Sequence, residues 1–168
     1  MLIQAKKGNL LNYDTAGKTV DWLPLEWYEA RKRILRKQTK AGKDISLKFL
    51  NDNPEHTEGD ILFIDDRSII AITILPCDCI VVLPKNMFEM ASVCYEIGNK
   101  HLPLFYEQDK LLVPFEKPLY QLLLAQGYDV KQENKKLLHP LKTTVAAHAD
   151  SKGETLFTKI MKLKTPAS

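Results

Sequence analysis

The pattern of apolar and polar positions changes character near the middle of the chain. Over residues 1–74 the apolar residues alternate with polar ones or come in short runs. In "DISLKF", Ile45, Leu47 and Phe49 recur with a period of two, as a half-buried strand requires. With "RILRKQT" and the turn "KAGK" this segment predicts a hairpin. "NDNPEHTEGD" reads as a turn-rich loop, and "ILFI" and "IIAITIL" form a second hairpin around the acidic turn "DDRS". A helix is expected in this half only at "WYEARKRI", and it is short.

After Pro76 the period lengthens. "IVVL" is a continuous apolar strand, and in "PKNMFEMASVCYEIGN" Met87, Met90, Ala91, Cys94 and Ile97 fall at helical spacing. Pro84 precedes this helix, and Gly98-Asn99 is the expected left-handed stop. "LPLFYE" and "KLLVPF" read as strands around a tight turn. "PLYQLLLAQG" is a second helix with proline first and glycine last, and "YDVKQE" is a final strand. The order β-α-β-β-α-β is the split βαβ pattern of ferredoxin-like folds, with the helices on one face of the sheet. From about Asn134 periodicity is lost, and the small, polar, basic C-terminal stretch reads as a mobile tail. The expected fold is therefore α+β: a mostly-β unit over 1–74, a ferredoxin-like unit over 75–142 and a flexible tail over 143–168.

Composition narrows the function. With 168 residues, 45% hydrophobic and 27% charged, the chain is that of a globular protein. Its longest apolar run is broken by Pro76 and Asp78, so no membrane helix is expected, and the N-terminal sequence turns polar at once. Three cysteines argue against a disulfide framework and for a reducing compartment, read here as the cytoplasm. A formal charge of +3 does not by itself imply nucleic acid. No P-loop, dinucleotide fingerprint, nucleophile elbow or HExxH occurs, and the acidic clusters lie in turns, so the expectation is not an enzyme.

The candidate chemistry is sparse. Histidines occur at 56, 101, 139 and 148. His101 follows the helix stop, where a basic side chain suits the negative end of the helix dipole. No histidine or carboxylate lies three or four residues away to complete a site. A two-fold dimer would, however, convert one histidine near its axis into a pair, and imidazole suits nickel, copper and zinc. His148 stands in the tail, from which it could fold over and add a ligand. His139 precedes a proline and His56 sits in a loop. Cys77 and Cys79 in "CDC" share one face of a strand and read as buried thiols, and Cys94 reads as core. The segment 31–43 carries seven Lys or Arg and no acid. It reads as a solvated hairpin face, or alternatively as an RNA- or ribosome-binding surface, although no aromatic residue is interleaved.

Together "VDWLPLEWYEARKRILRKQTKAGKDISLKF", the loop "EGDIL" and above all "MASVCYEIGNKHLPLF" resemble the urease accessory protein E family, over about residues 1–142. That family's GNxH signature is matched by Gly98, Asn99 and His101. The resemblance implies an N-terminal β domain similar to a peptide-binding module and a ferredoxin-like metal-binding domain. It also implies a head-to-head homodimer in which His101 of both subunits grips Ni(II). The receivers it implies are the urease accessory GTPase and its complex with apo-urease, with neither membrane nor nucleic acid as a partner. Where many members carry histidines, "VPFEKPLYQ" offers only Glu116, and the tail offers His148 and, earlier, His139. One interfacial site completed by His148 is the expectation, with Zn(II) or Cu(II) able to occupy it in vitro. Redox chemistry at Cys77 and Cys79 is a further alternative.

Overall fold

The computed structural model describes residues 1–50 and 54–141. The N-terminal half contains β1 (Leu2–Ile3), β2 (Gly8–Asn9), β3 (Thr19–Leu25), β4 (Ile34–Gln38), β5 (Asp44–Lys48), β6 (Asp60–Ile64) and β7 (Ser68–Ile74). They form a three-stranded sheet β1-β5-β4 and a four-stranded sheet β2-β6-β7-β3. Both expected hairpins are present, as the antiparallel pairs β4/β5 and β6/β7. Ile45, Leu47 and Phe49 point inward together, against Leu23, Leu25, Leu62, Ile70 and Ile72. The opposite face of β6 and β7 buries Ile61, Ile69 and Ala71 beneath Leu10, Tyr13 and Trp22. A strand covered on both faces loses its alternation, which is why "IIAITIL" is apolar at every position but Thr73.

The helix expected at "WYEARKRI" is only a 3-10 turn, Trp27–Glu29. Local propensity loses to tertiary pairing here. The Glu29 carboxylate accepts the Glu26 N–H at 3.0 Å and pairs with the Lys37 ammonium at 2.5 Å, while Ile34 is drawn into the ladder opposite Lys48. Burial opposes ionisation of Glu29, but the Lys37 hydrogen bond and the Glu26 amide overcome it, and its pKa lies below the ordinary glutamate value.

The C-terminal half contains β8 (Cys77–Val82), α1 (Met87–Asn99), β9 (Phe105–Glu107), β10 (Lys110–Pro114), α2 (Lys117–Ala125) and β11 (Val130–Lys135). The sheet order β11-β8-β10-β9 is the ferredoxin-like arrangement, as the element order predicts. On one face Ile80, Val82, Leu111 and Val113 pack against Val93 and Ile97 of α1 and Leu119 and Leu123 of α2. On the other, Cys79, Val81, Leu112 and Phe105 lie under Leu137 and Trp27, whose ring meets Phe105 edge-on at 5.8 Å between centroids. Burial on both faces again explains a continuous run, "CIVV".

The loss of periodicity after Asn134 does not mark the end of order. Asn134 and Lys135 belong to β11, Leu137 is buried, and Leu138 packs on the core of the N-terminal half. Pro140 bridges Phe105, the Tyr106 N–H donates to the His139 carbonyl at 3.0 Å, and the Leu141 N–H donates to the Leu104 carbonyl at 2.8 Å. This short segment makes an isolated antiparallel bridge at the start of β9 with partners distant in sequence, so neither period nor propensity reveals it. The Lys136 ammonium reaches Glu58 Oε1 at 2.8 Å and Thr73 Oγ1 at 3.1 Å, tying the same segment to the N-terminal half.

Candidate metal centre

Helix α1 begins at Asn86, whose side chain accepts the Glu89 N–H at 2.9 Å, while the Glu89 carboxylate accepts the Lys85 N–H. Its inward stripe of Met90, Val93, Cys94 and Ile97 fills the sheet-side core. A second apolar stripe faces away from the protein: Met87 is 86% exposed, Phe88 80% and Tyr95 72%, with Ala91 exposed between them. Phe88, Ala91 and Tyr95 fall at i, i+3 and i+7, so they share one line along the helix.

The helix does not stop at Gly98-Asn99. Both are helical, Lys100 is the cap, and the left-handed residue is His101 itself, with φ of 55°. The Leu102 N–H donates to the Ile97 carbonyl at 3.3 Å and the His101 N–H to the Gly98 carbonyl at 3.0 Å, the two bonds of a Schellman motif. Leu102 accompanies Ile97 in the core, completing that motif's apolar contact. His101 therefore occupies the position that glycine ordinarily fills, with its imidazole exposed. Among the described residues the other non-glycine residue with positive φ, Gln108, sits in the tight turn between β9 and β10.

The remaining sequence candidates do not converge on His101. Among the described residues no three of His, Cys, Asp and Glu come together in a group able to hold a metal. Glu116 is exposed at the N-terminal cap of α2. His139 is exposed beside Tyr106, with ring centroids 5.7 Å apart. Burial pushes the thiols of Cys77 and Cys94 up, and Cys79, buried and donating to the Glu133 carbonyl at 3.3 Å, is pushed up to about 11. Those are protonated core thiols rather than metal or redox thiolates. His148 lies outside the described residues. His56, expected to be incidental, is 3% exposed and stands edge-on to Phe49, and among the described residues neither ring nitrogen has a partner within hydrogen-bond geometry.

Two features of the site escaped the sequence reading. The outward stripe of α1 was hidden because Met87 and Ala91, which belong to it, also fall at helical spacing with Met90, Cys94 and Ile97, so the sequence reading merged two faces that the structure separates. Its signal is the pair of aromatics, Phe88 and Tyr95, at i and i+7 off the inward stripe. The bridged segment 137–141 was the other, and it brings the chain to Leu104, three residues from His101.

Family models for the "UreE urease accessory protein" match both halves, the N-terminal domain over residues 3–75 and the C-terminal domain over 77–154. The chain is 42% identical over 163 residues to the urease accessory protein UreE of Flavobacterium johnsoniae, covering 97% of this chain and 99% of that one. The protein of the same name from Helicobacter pylori is 39% identical over 150 residues, with 87% and 88% covered. That from Acetivibrio thermocellus is 38% identical over 142 residues, with 84% and 92% covered. With both halves matched and relatives covered nearly end to end, this chain belongs to the UreE urease accessory protein family.

Proposed function

We propose that this protein is a nickel carrier for urease assembly, without a reaction of its own. Two copies associate about a two-fold axis along the outward stripes of α1, and His101 of each copy holds one Ni(II) between them. The observation that carries this reading is the end of α1: an exposed imidazole, held at a left-handed residue, just past a helix whose outer face leaves Met87, Phe88 and Tyr95 uncovered. Large apolar side chains in a row are the ordinary sign of a surface meant to be covered. One chain offers a single ligand and a symmetric pair offers two, which leaves positions open for a receiver's groups to invade. An incomplete coordination sphere suits delivery rather than storage.

The tail supplies the third ligand. His148 lies seven residues beyond Leu141, a span of at most about 24 Å when extended. Since Leu141 is hydrogen-bonded to Leu104, that reach includes the end of α1. In this reading the receivers are the accessory GTPase and the apo-urease complex, and the compartment is the cytoplasm. Zn(II) and Cu(II) bind the same imidazoles in vitro, with copper the tighter, so selectivity comes from metal supply and partner recognition. Among the described residues no helix is long and apolar enough to cross a membrane.

Calorimetric titration with Ni, Zn and Cu, with mass followed by light scattering, tests the proposal. About one tight nickel site per dimer is expected in the wild type, lost in His101→Ala and weakened in His148→Ala. Nickel binding unchanged in His101→Ala would overturn the site.

A further inference from the structure

Residues 54–59, which lead into β6, carry a titratable group that metal carriage does not use. His56 is buried against Phe49, edge-on with ring centroids 5.1 Å apart, and among the described residues neither ring nitrogen has a partner. Buried polar groups ordinarily find a partner, because leaving one unmade costs free energy. The main chain around it is firmly held. The His56 N–H donates to the Ala30 carbonyl at 2.8 Å and the Gly59 N–H to the Ile72 carbonyl at 2.9 Å. The ring thus occupies an apolar seat in spite of its own nitrogens.

The charges around that seat do not welcome a proton. The Lys6 ammonium and the Asp60 carboxylate act on the ring, and they pair with each other at 2.6 Å. Both oxygens of Asp60 are occupied. Oδ1 accepts from Asn9 Nδ2 at 3.1 Å and from the Thr57 hydroxyl at 3.0 Å, and Oδ2 accepts the Thr57 N–H at 2.8 Å besides Lys6. The Glu55 carbonyl also takes the Lys6 ammonium, and the Glu58 carboxylate is turned to Ile74 and Lys136. From the segment after Trp27, Lys32 turns its ammonium towards Glu29, at 3.7 Å, and Arg31 and Arg33 are exposed. On the β5 side Lys48 is exposed as well, and Phe49 faces the ring. An imidazolium here would bury two N–H donors beside an ammonium, with the neighbouring carboxylate already bonded four times.

Two residues on, Glu58 joins the same loop to the C-terminal half. Its carboxylate accepts the Ile74 N–H at 2.7 Å, the Thr73 hydroxyl at 3.1 Å and the Lys136 ammonium at 2.8 Å. Lys136 opens the segment in which Pro140 bridges Phe105 and the Leu141 N–H reaches the Leu104 carbonyl. Displacing His56 therefore moves the loop that carries Glu58, and the Lys136 contact with it.

We propose that His56 is an acid-released latch: its protonation lifts residues 54–59 off Phe49 and frees Lys136 from Glu58, loosening the tie between the two halves. The device needs no metal. Burial and the Lys6 ammonium hold the His56 pKa below the ordinary 6.5 in the closed state. The open loop then binds a proton that the closed one refuses, so closure is complete above about pH 6.5 and weakens as pH falls below it.

Nuclear magnetic resonance on the full, metal-free chain tests this. The His56 ring protons should titrate with a midpoint below 6.5. Amide exchange, corrected for its intrinsic pH dependence, should quicken about tenfold at His56 and Gly59 between pH 7 and pH 5. The ceiling is about twenty-fivefold for one group that returns to about 6.5 on opening. At Tyr106 and Leu141 the gain should be about two- to fivefold, the size of one partly exposed ion pair. His56→Phe and His56→Gln should each abolish both responses, with circular dichroism establishing that they are folded. Lys136→Met should remove the response at Tyr106 and Leu141 and keep that at His56 and Gly59. A wild-type midpoint at or above 6.5, no wild-type response at Tyr106 and Leu141, acid responses that survive in both His56 variants, or acid sensitivity of Tyr106 and Leu141 that survives Lys136→Met would each overturn the proposal.

Discussion

The two helices of the ferredoxin-like unit end in the same hydrogen-bonded frame with different residues at its critical position. At the end of α2 the Tyr128 N–H donates to the Leu123 carbonyl at 3.2 Å and the Gly127 N–H to the Leu124 carbonyl at 3.0 Å, with Gly127 at φ of 82°. At the end of α1 the equivalent bonds run from Leu102 and His101, with His101 at φ of 55°. Glycine enters this region without steric cost, whereas a residue with a Cβ loses about 1 kcal/mol there. Gly127 needs no reason beyond the turn. His101 does, because histidine tolerates the left-handed region better than most residues but still less well than glycine. The inference runs from the strained residue to a role, and the role on offer is an imidazole aimed outward from the end of a helix.

The sharpest way to break this comparison is to make the two ends alike. His101→Gly should abolish nickel binding in calorimetry while raising the chemical stability of the chelator-treated protein. Relief of about 1 kcal/mol of strain is offset by about 0.4–1 kcal/mol of added chain entropy in the unfolded state, so the gain is a few tenths of a kcal/mol or slightly more. Loss of metal together with lost stability would mean that the imidazole supports the fold, and the functional reading of the strain would fail. Acidification should weaken nickel binding to the wild type, since protons compete for the imidazoles.

The reciprocal change is smaller in consequence. An added Cβ at Gly127 would meet nothing within 4 Å, so Gly127→Ala tests the backbone conformation alone. Urea unfolding should show a net destabilisation of a few tenths of a kcal/mol, about 1 kcal/mol of strain less about 0.4–1 kcal/mol of entropy removed from the unfolded chain, with nickel binding intact. A rise in stability of about 0.4–1 kcal/mol, the unfolded-state gain alone, would show that the frame tolerates a side chain freely, and His101 would then carry no strain to explain.

What could be read beforehand follows from where the information resides. Hairpin β4/β5 was legible because Ile45, Leu47 and Phe49 bury only one face, so the period of two survives in the sequence. The ferredoxin-like order was legible because Pro118 and Gly127 bracket α2 and Pro84 precedes α1, although the cap that starts α1 is Asn86. The stop of α1 was misplaced by three residues. "GNKH" contains a better left-handed residue than histidine, yet Ile97 and Leu102 fix the frame by packing into the core, and that choice is tertiary. The same holds for "WYEARKRI", where Lys37 and the β5 register claim residues that a local reading gives to a helix. His101 itself was singled out by its surroundings and by resemblance, whereas the outward stripe that gives it a partner surface became visible only once the inward one was assigned.

The smallest effect separates His101 from the other unusual histidine. Burial, aided by the Lys6 ammonium, lowers the pKa of His56 below the ordinary 6.5, and the nearby Asp60 carboxylate does not offset this. The native state then binds fewer protons than the unfolded chain, so this contribution is complete above about pH 6.5 and is lost as pH falls below it. Glu29 and Asp60 have lowered values too, but their contributions fade only below their ordinary values of 4.5 and 3.8. Urea midpoints between about pH 5 and pH 7 should therefore slope in the wild type and flatten in His56→Leu. His101→Gly should keep the wild-type slope and shift the whole curve upward. If His101→Gly flattens the profile instead, the end of α1 is coupled to protons as well as to metal, and its difference from the end of α2 is electrostatic before it is conformational.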